Sequence, residues 1–319
     1  MDTLLAIRFI WNSRIINGGL KIVTFQNLVG NKEIKKLLNE IIQSKNFLHS
    51  YLFTGREGIG KMLFAKEFAK QALCLGEPNC KSCIEFDSQN NPDFIIIEPD
   101  GNSIKIEQIR LLQMKIIEKP IISKRKIYII RDSEKMTKEA QNCLLKTLEE
   151  PPEYIIIILL CSNESLLLNT IQSRCTKINF QPISDEELKL FLEKEGLTNI
   201  TNNMLKTMDG SIAKAYELQE FKEIYKIIED TLIKRRQLSK IHFLNSFLPI
   251  YKEKDNINAI LEYMNVALFH EAKKDVKCLD CIEKVEIAKN RIKQNANLDM
   301  TLDNMIFSIW EIANKSTLN

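Results

Sequence analysis

The stretch Gly55-Arg56-Glu57-Gly58-Ile59-Gly60-Lys61-Met62 decides how the chain folds. It has the G-x-x-x-x-G-K spacing of a phosphate-binding loop and then departs from the rule. Such loops place Ser or Thr after the Lys, because that hydroxyl holds Mg²⁺. The thioether of Met62 does not suit a hard cation that takes oxygen ligands. The flanks agree with the loop. Ser50-Tyr51-Leu52-Phe53-Thr54 reads as a short apolar strand running into the glycines, and Leu63 to Leu73 carries apolar residues at helical spacing. In that setting backbone N–H groups and a helix N-terminus accept a phosphate. Gly55, Gly58, Gly60 and Lys61 are therefore candidate nucleotide-binding residues in a site that lacks a metal ligand.

Working outward, Phe94-Ile95-Ile96-Ile97, Ile127-Tyr128-Ile129-Ile130, the run from Tyr154 to Leu160, and Thr176-Lys177-Ile178-Asn179-Phe180 read as further strands. Three of them are nearly continuous apolar runs, as expected of strands buried on both faces of a parallel sheet. Ile106 to Ile117, Thr137 to Glu149 and Leu166 to Ile171 read as the intervening helices. Strand alternating with helix from Ser50 to Phe180 predicts a three-layer α/β domain with a parallel sheet. Upstream, Asn31 is placed to cap a helix from Lys32 to about Ser44. After Gln181-Pro182 the strands stop. Ser184-Asp185-Glu186-Glu187 reads as a capping box, and helical patterns continue to the end, including Ile241 to Tyr251. The expected organisation is an extra tail at 1–23, an α/β P-loop domain at 24–181, a small helical unit at 182–220 and a helical bundle at 221–319.

Composition narrows the function classes. The chain has 319 residues, 45% of them apolar, with a net charge of +3. That balance neither announces a nucleic-acid binder nor excludes a local basic patch. No run of about 18 apolar residues suggests a membrane span. Eight cysteines without a secretion signal point to a reducing cytoplasm. Met1 to Trp11 is apolar but broken by Arg8 and lacks a small-residue cleavage site, so the first residues read as an unpacked tail.

A second nucleotide motif would be a strand ending in Asp-Glu, the Asp assisting Mg²⁺ and the acid activating water. The strand at Ile127 to Ile130 is followed by Arg131-Asp132-Ser133-Glu134. Asp132 is present, and Ser133, a poor base, occupies the next position. Asp132 joins the candidate nucleotide residues; the competing reading is a loop capping the next helix.

Beyond this point the chain resembles a known family. Gln141-Asn142-Cys143-Leu144-Leu145-Lys146-Thr147-Leu148-Glu149-Glu150-Pro151-Pro152 and Ser173-Arg174-Cys175 are similar to hallmarks of bacterial clamp-loader subunits. With Phe25-Gln26-Asn27-Leu28-Val29-Gly30 and Asn91-Pro92-Asp93-Phe94 they resemble the delta-prime subunits of DNA polymerase III. The resemblance is strong over roughly residues 25 to 220. It implies an AAA+ fold: a P-loop α/β domain, a helical lid and an all-α collar domain. It implies a role in DNA replication within a ring of motor and delta subunits that opens a sliding clamp and places it on primed DNA. Delta-prime members of that family are stationary, and the Arg of Ser-Arg-Cys acts in trans on ATP held by a neighbour. That role falls here to Arg174.

The residues fit the stationary role. Met62 removes a metal ligand, Ser133 replaces the base, and Ala213 stands where motor subunits carry an Arg, with Lys214 adjacent. Lys61 and Asp132 are retained, so weak ATP binding and a structural lysine over an empty loop both stay open. The competing function is a clamp-loader motor that binds or hydrolyses ATP. It requires Ser or Thr at 62 and Glu at 133.

Relatives also place a four-cysteine zinc module after the P-loop helix. Here three cysteines, Cys74, Cys80 and Cys83, occupy that region, with Asp87, His49 or water as candidate fourth ligands. The alternative is three reduced thiols. Cys278 and Cys281 read as packed or exposed thiols on one helical turn. Lys124-Arg125-Lys126 and Lys234-Arg235-Arg236 read as solvated faces, with contact to DNA phosphates the competing reading.

Overall fold

The structure is a computed structural model that describes residues 25, 28–77, 79–197 and 200–314. The tail expected at 1–23 lies outside the described residues. A first helix, α1 (Lys32–Ser44), leads to β1 (Ser50–Thr54), the glycine loop and α2 (Lys61–Leu73). Then follow α3 (Lys81–Asp87), β2 (Phe94–Ile97), α4 (Ile106–Ile116), β3 (Lys126–Ile130), α5 (Lys138–Glu149), β4 (Ile155–Cys161), α6 (Asn169–Gln172) and β5 (Thr176–Asn179). The five strands form one sheet in the order β2-β3-β4-β1-β5, every pairing parallel. Consecutive strands in a parallel sheet need crossovers, and the helices supply them. β1, β3 and β4 lie inside the sheet and are buried throughout, which is why they read as unbroken apolar runs. β2 and β5 are the edges and are only partly covered.

Two apolar layers flank the sheet. One gathers Phe25, Leu38, Phe53, Phe64, Phe68 and Phe180 under α1 and α2. The other gathers Ile109, Leu112, Leu144 and Leu148 under α4 and α5. This is a three-layer α/β arrangement around the glycine loop. Helices α7 (Asp185–Lys194), α8 (Asn202–Met208), α9 (Ile212–Glu220), α10 (Lys222–Ile233), α11 (Lys240–Ser246), α12 (Ile257–Ala272), α13 (Lys277–Lys293) and α14 (Leu298–Asn314) follow in the chain. Internal contacts divide the chain into two units. One runs to Leu188 and takes in Gly210–Ala213; the other holds Lys189–Asp209 and Lys214 onward.

Several local expectations are corrected. Asn31 does not cap α1 with its side chain; its backbone is left-handed, at φ 49°. Its amide instead clasps the backbone of Gln181, donating to the carbonyl at 3.1 Å and accepting from the N–H at 2.9 Å. The segment Leu166 to Ile171 is not one helix. A 3₁₀ turn, Glu164–Leu166, is separated from α6 by extended Leu167 and Leu168. The cause is Gln141 on α5, whose amide donates to Leu166 O at 3.2 Å and accepts from Leu168 N at 2.8 Å. The helix expected to reach Tyr251 stops at Ser246 and gives way to the 3₁₀ turn Leu248–Lys252. Pro249 lacks the N–H a continuing α-helix would need.

Candidate functional site

The glycine loop is built as its spacing demands, and then closes on itself. Gly55 has φ 141°, and a Cβ there would come 2.7 Å from the Phe180 carbonyl. Gly58 has φ 77°, and a Cβ there would meet Ser211 and, at 3.3 Å, the Ala213 methyl. The start of α9 thus lies against the loop, and Ala213 brings only a methyl there.

Lys61 opens α2 and is 8% exposed. Its ammonium donates to Gly55 O, to Arg56 O at 2.7 Å and to Ser162 Oγ at 3.2 Å. An ammonium has three protons, so these bonds match its donors one for one. Burial pushes its pKa down, offset in part by the charge of Glu134 and, more weakly, by Cys161, Glu57 and Asp132. Met62 packs against the apolar layer under α1 and α2. A metal-ligating hydroxyl would have to stand at this position, and the half-buried Met62 side chain takes it.

At the end of β3, Asp132 takes a left-handed backbone, φ 48°, and pairs with Lys135 at 3.0 Å. It makes no side-chain cap. Ser133 is fully buried and donates to Leu160 O at 3.0 Å, tying the end of β3 to β4. Glu134 accepts from Ser162 N at 2.9 Å. Burial and the Glu134 charge push the neighbouring Cys161 thiol up to about 12, so it stays protonated at neutral pH. Ser162 was not singled out from sequence. The usable signal was its place just past the carboxyl end of a buried strand, where α/β folds build ligand sites.

Arg174 lies just past α6. Its backbone is held: the carbonyl accepts from the buried Ser50 hydroxyl at 2.6 Å, and Ser173 Oγ donates to Thr170 O at 3.2 Å. Burial raises the Cys175 thiol to about 11, offset in part by Ser50. The preceding loop is braced by Gln141 and by Gln172, whose amide donates to Glu164 O at 2.9 Å and Leu167 O at 3.0 Å. The Arg174 side chain is 35% exposed. Nη1 donates to Thr170 O at 3.0 Å, and Nη2 pairs with Glu149 Oε1 at 2.8 Å.

The family model described as "DNA polymerase III, delta subunit" matches residues 30–184. Subunit delta' of DNA polymerase III from Bacillus subtilis is 34% identical over 233 residues, covering 69% of this chain and 70% of that protein. The chain belongs to the delta-prime family of DNA polymerase III subunits. The Pseudomonas aeruginosa delta' subunit is 34% identical over 139 residues, 40% of this chain and 42% of that protein. The B. subtilis tau subunit is 35% identical over 170 residues, and the match spans 30% of its length. A solved DNA polymerase III gamma subunit-related protein from Thermotoga maritima shares the fold, with a TM-score of 0.52 and 20% identity over 87% of this chain and 99% of that one.

The delta-prime motifs have structural reasons here. Asp93, fully buried, accepts from the N–H groups of Ile121, Ile122 and Ser123 at 2.7, 2.8 and 2.7 Å. Asn91 donates to Ser82 O at 2.9 Å and anchors α3. The thiol sulfurs of Cys74, Cys80 and Cys83 lie within 4.8 Å of one another. A tetrahedral zinc with bonds of about 2.3 Å fits such a spacing. At Cys80, burial raises the thiol pKa, but N–H donation from Leu75 and bonds from Cys83 and Cys74 outweigh it, and the net direction is down. Neither proposed side-chain partner joins them. Asp87 is taken by Lys70, at 2.6 and 2.8 Å, and His49 is outside the cluster.

The basic triplets are not plain solvated faces. Lys126 is 2% exposed and donates to Lys115 O at 3.0 Å and Glu118 O at 3.1 Å, satisfying carbonyls at the end of α4. Arg125 covers the Phe47 ring at 4.6 Å. Arg235 is 5% exposed and binds Asp275 at 2.6 Å, while Arg236 reaches the same carboxylate at 2.9 Å. Cys278 and Cys281 are buried thiols. Lys214 pairs with Glu262 at 2.8 Å. Among the described residues, no helix is long and apolar enough to cross a membrane.

Proposed function

We propose that this delta-prime family chain is a stationary subunit of the DNA polymerase III clamp loader. It hydrolyses no ATP and supplies Arg174 to ATP held by a neighbouring subunit. Its partners are the motor and delta subunits and, through them, the sliding clamp and primed DNA in the cytoplasm. The observation that carries this reading is the condition of Lys61, whose donors are engaged by Gly55 O, Arg56 O and Ser162 Oγ. A nucleotide phosphate would have to displace all three, with no hydroxyl at Met62 to hold the cation. Arg174, by contrast, sits on a braced loop with only two of its five N–H donors engaged in the contacts described. A guanidinium suits bidentate contact with phosphate.

The mechanism in this chain is electrostatic. Ser50, Gln141 and Gln172 fix the backbone that carries Arg174. The guanidinium then offsets charge developing on a phosphoryl group during transfer, a contribution worth roughly 10³–10⁵-fold in related systems. The deciding experiment is ATP turnover by the reconstituted complex. Arg174→Ala should abolish the contribution of the site it serves, while Lys61→Ala should leave turnover unchanged. The reverse pattern would establish a motor subunit instead.

The same reading includes a structural zinc held by Cys74, Cys80 and Cys83, with the fourth position filled by water or another donor. Such an ion would tie the start of α3 to the end of α2. Metal analysis of the purified chain and of a Cys80→Ser variant tests it: bound zinc should fall from about one equivalent to near none.

A further inference from the structure

Glu149 ends α5 and belongs to the Leu-Leu-Lys-Thr-Leu-Glu-Glu-Pro-Pro string, which is distant in sequence from Ser173-Arg174-Cys175. The fold brings the two strings together, with Glu149 Oε1 2.8 Å from Arg174 Nη2. The helix dipole gives Glu149 no reason of its own to be there. It lies in the last turn of a helix, where exposed carbonyls disfavour a carboxylate. Glu150 follows it, adding a second negative charge. Nor does the pair serve stability. The two side chains are 49% and 35% exposed, and ion pairs so open contribute roughly 0–1 kcal/mol to folding.

We propose that Glu149 is a positioning residue for Arg174. It rests on the reading of Arg174 as a trans-acting group. The Arg side chain is long and, left alone, samples many rotamers. Here its two terminal nitrogens are tied to two different elements: Nη1 to the Thr170 carbonyl on α6, Nη2 to the Glu149 carboxylate at the end of α5. Two anchors fix both the plane and the reach of the guanidinium before a neighbour arrives. The remaining donors are left for a phosphate, and the ordering entropy is met in advance rather than in the transition state. The carboxylate itself touches no substrate.

The test is a double-mutant cycle on ATP turnover by the reconstituted clamp loader, with assembly checked by gel filtration. Glu149→Ala should lower kcat roughly 3- to 10-fold with KM for ATP little changed, because orientation matters most where charge develops. Glu149→Gln keeps an acceptor oxygen and should recover part of the loss. In the Arg174→Ala background, Glu149→Ala should have no further effect. Equal losses in both backgrounds would show that Glu149 acts without Arg174 and would overturn the proposal. So would an increase in turnover on Glu149→Ala, which would make the carboxylate a restraint on the arginine. If Arg174→Ala itself leaves turnover unchanged, the trans-acting reading fails and this one with it. If Arg174→Ala is deleterious and Glu149→Ala is silent, only the positioning role fails.

Discussion

Residues 55–62, after β1, and residues 170–175, before β5, are finished in opposite ways. In the first, the charged side chain is turned inward. Lys61 is 8% exposed and bonded to its own loop, and the half-buried Met62 packs against the core. In the second, the backbone is locked by Ser50, Gln141 and Gln172, and the charged side chain stays partly exposed. The contrast teaches that a glycine loop can stand as architecture with its lysine bonded inward. The glycines still carry β1 into α2, since only they tolerate positive φ beside Phe180 and Ser211. At Arg174 the guanidinium instead keeps part of its surface in solvent.

The comparison can be broken most strongly at Arg174. Arg174→Lys, measured as turnover of the assembled complex, should recover little of the roughly 10³-fold or greater loss expected of Arg174→Ala at the site it serves, since one ammonium does not copy the fork. Full activity of Arg174→Lys would reduce the loop to a source of charge.

The next effect is on the silent loop. Rebuilding it as Met62→Thr with Ser133→Glu should produce no turnover and should destabilise the chain by about 3–5 kcal/mol in urea unfolding. Ser133 is fully buried and bonded to Leu160 O, so a carboxylate there is an uncompensated buried charge. ATP hydrolysis by the isolated double variant would show that the loop is still a nucleotide site.

A smaller effect sharpens the reading of Lys61. Lys61→Met should cost about 1–2 kcal/mol at neutral pH by leaving the Gly55 and Arg56 carbonyls without their donor. The pH dependence has a definite sign. Burial lowers the folded-state pKa of Lys61 below 10.5, so between the two values the unfolded chain binds more protons. Stability of the natural chain should therefore gain from this group as pH rises through that window, and Lys61→Met should lose the gain. An identical pH profile in the variant would place Lys61 in solvent.

The smallest effect is the converse. Arg174→Ala should lower the folding stability of the isolated chain by no more than about 1 kcal/mol, because its pair with Glu149 is open to water. A large shift in thermal midpoint would make Arg174 a structural residue and its loss of turnover indirect.

The sequence by itself determined the parallel α/β domain and its helical continuation. Apolar runs such as that in β4, and glycines at loop positions, state local requirements that do not depend on distant neighbours. It also determined the residue types on which the proposed roles rest, Met62 and Ser133 in the places of a metal ligand and a base, and Arg174 within Ser-Arg-Cys. Only the tertiary structure decided what those groups touch. Lys61 reads the same whether it faces a phosphate or its own carbonyls; Ser162, brought beside it from the end of β4, is part of the answer. Asn31 reads as a cap until Gln181 arrives to take its amide. The basic triplets read as solvent-facing until burial puts Lys126 at the end of α4 and Arg235 against Asp275. Glu149 and Arg174 meet only when α5 and α6 pack on the same face of the sheet. Most of these bonds join residues far apart in the chain, and even Lys126 reaches carbonyls 8 and 11 positions away, so a local pattern cannot register a partner that folding alone supplies.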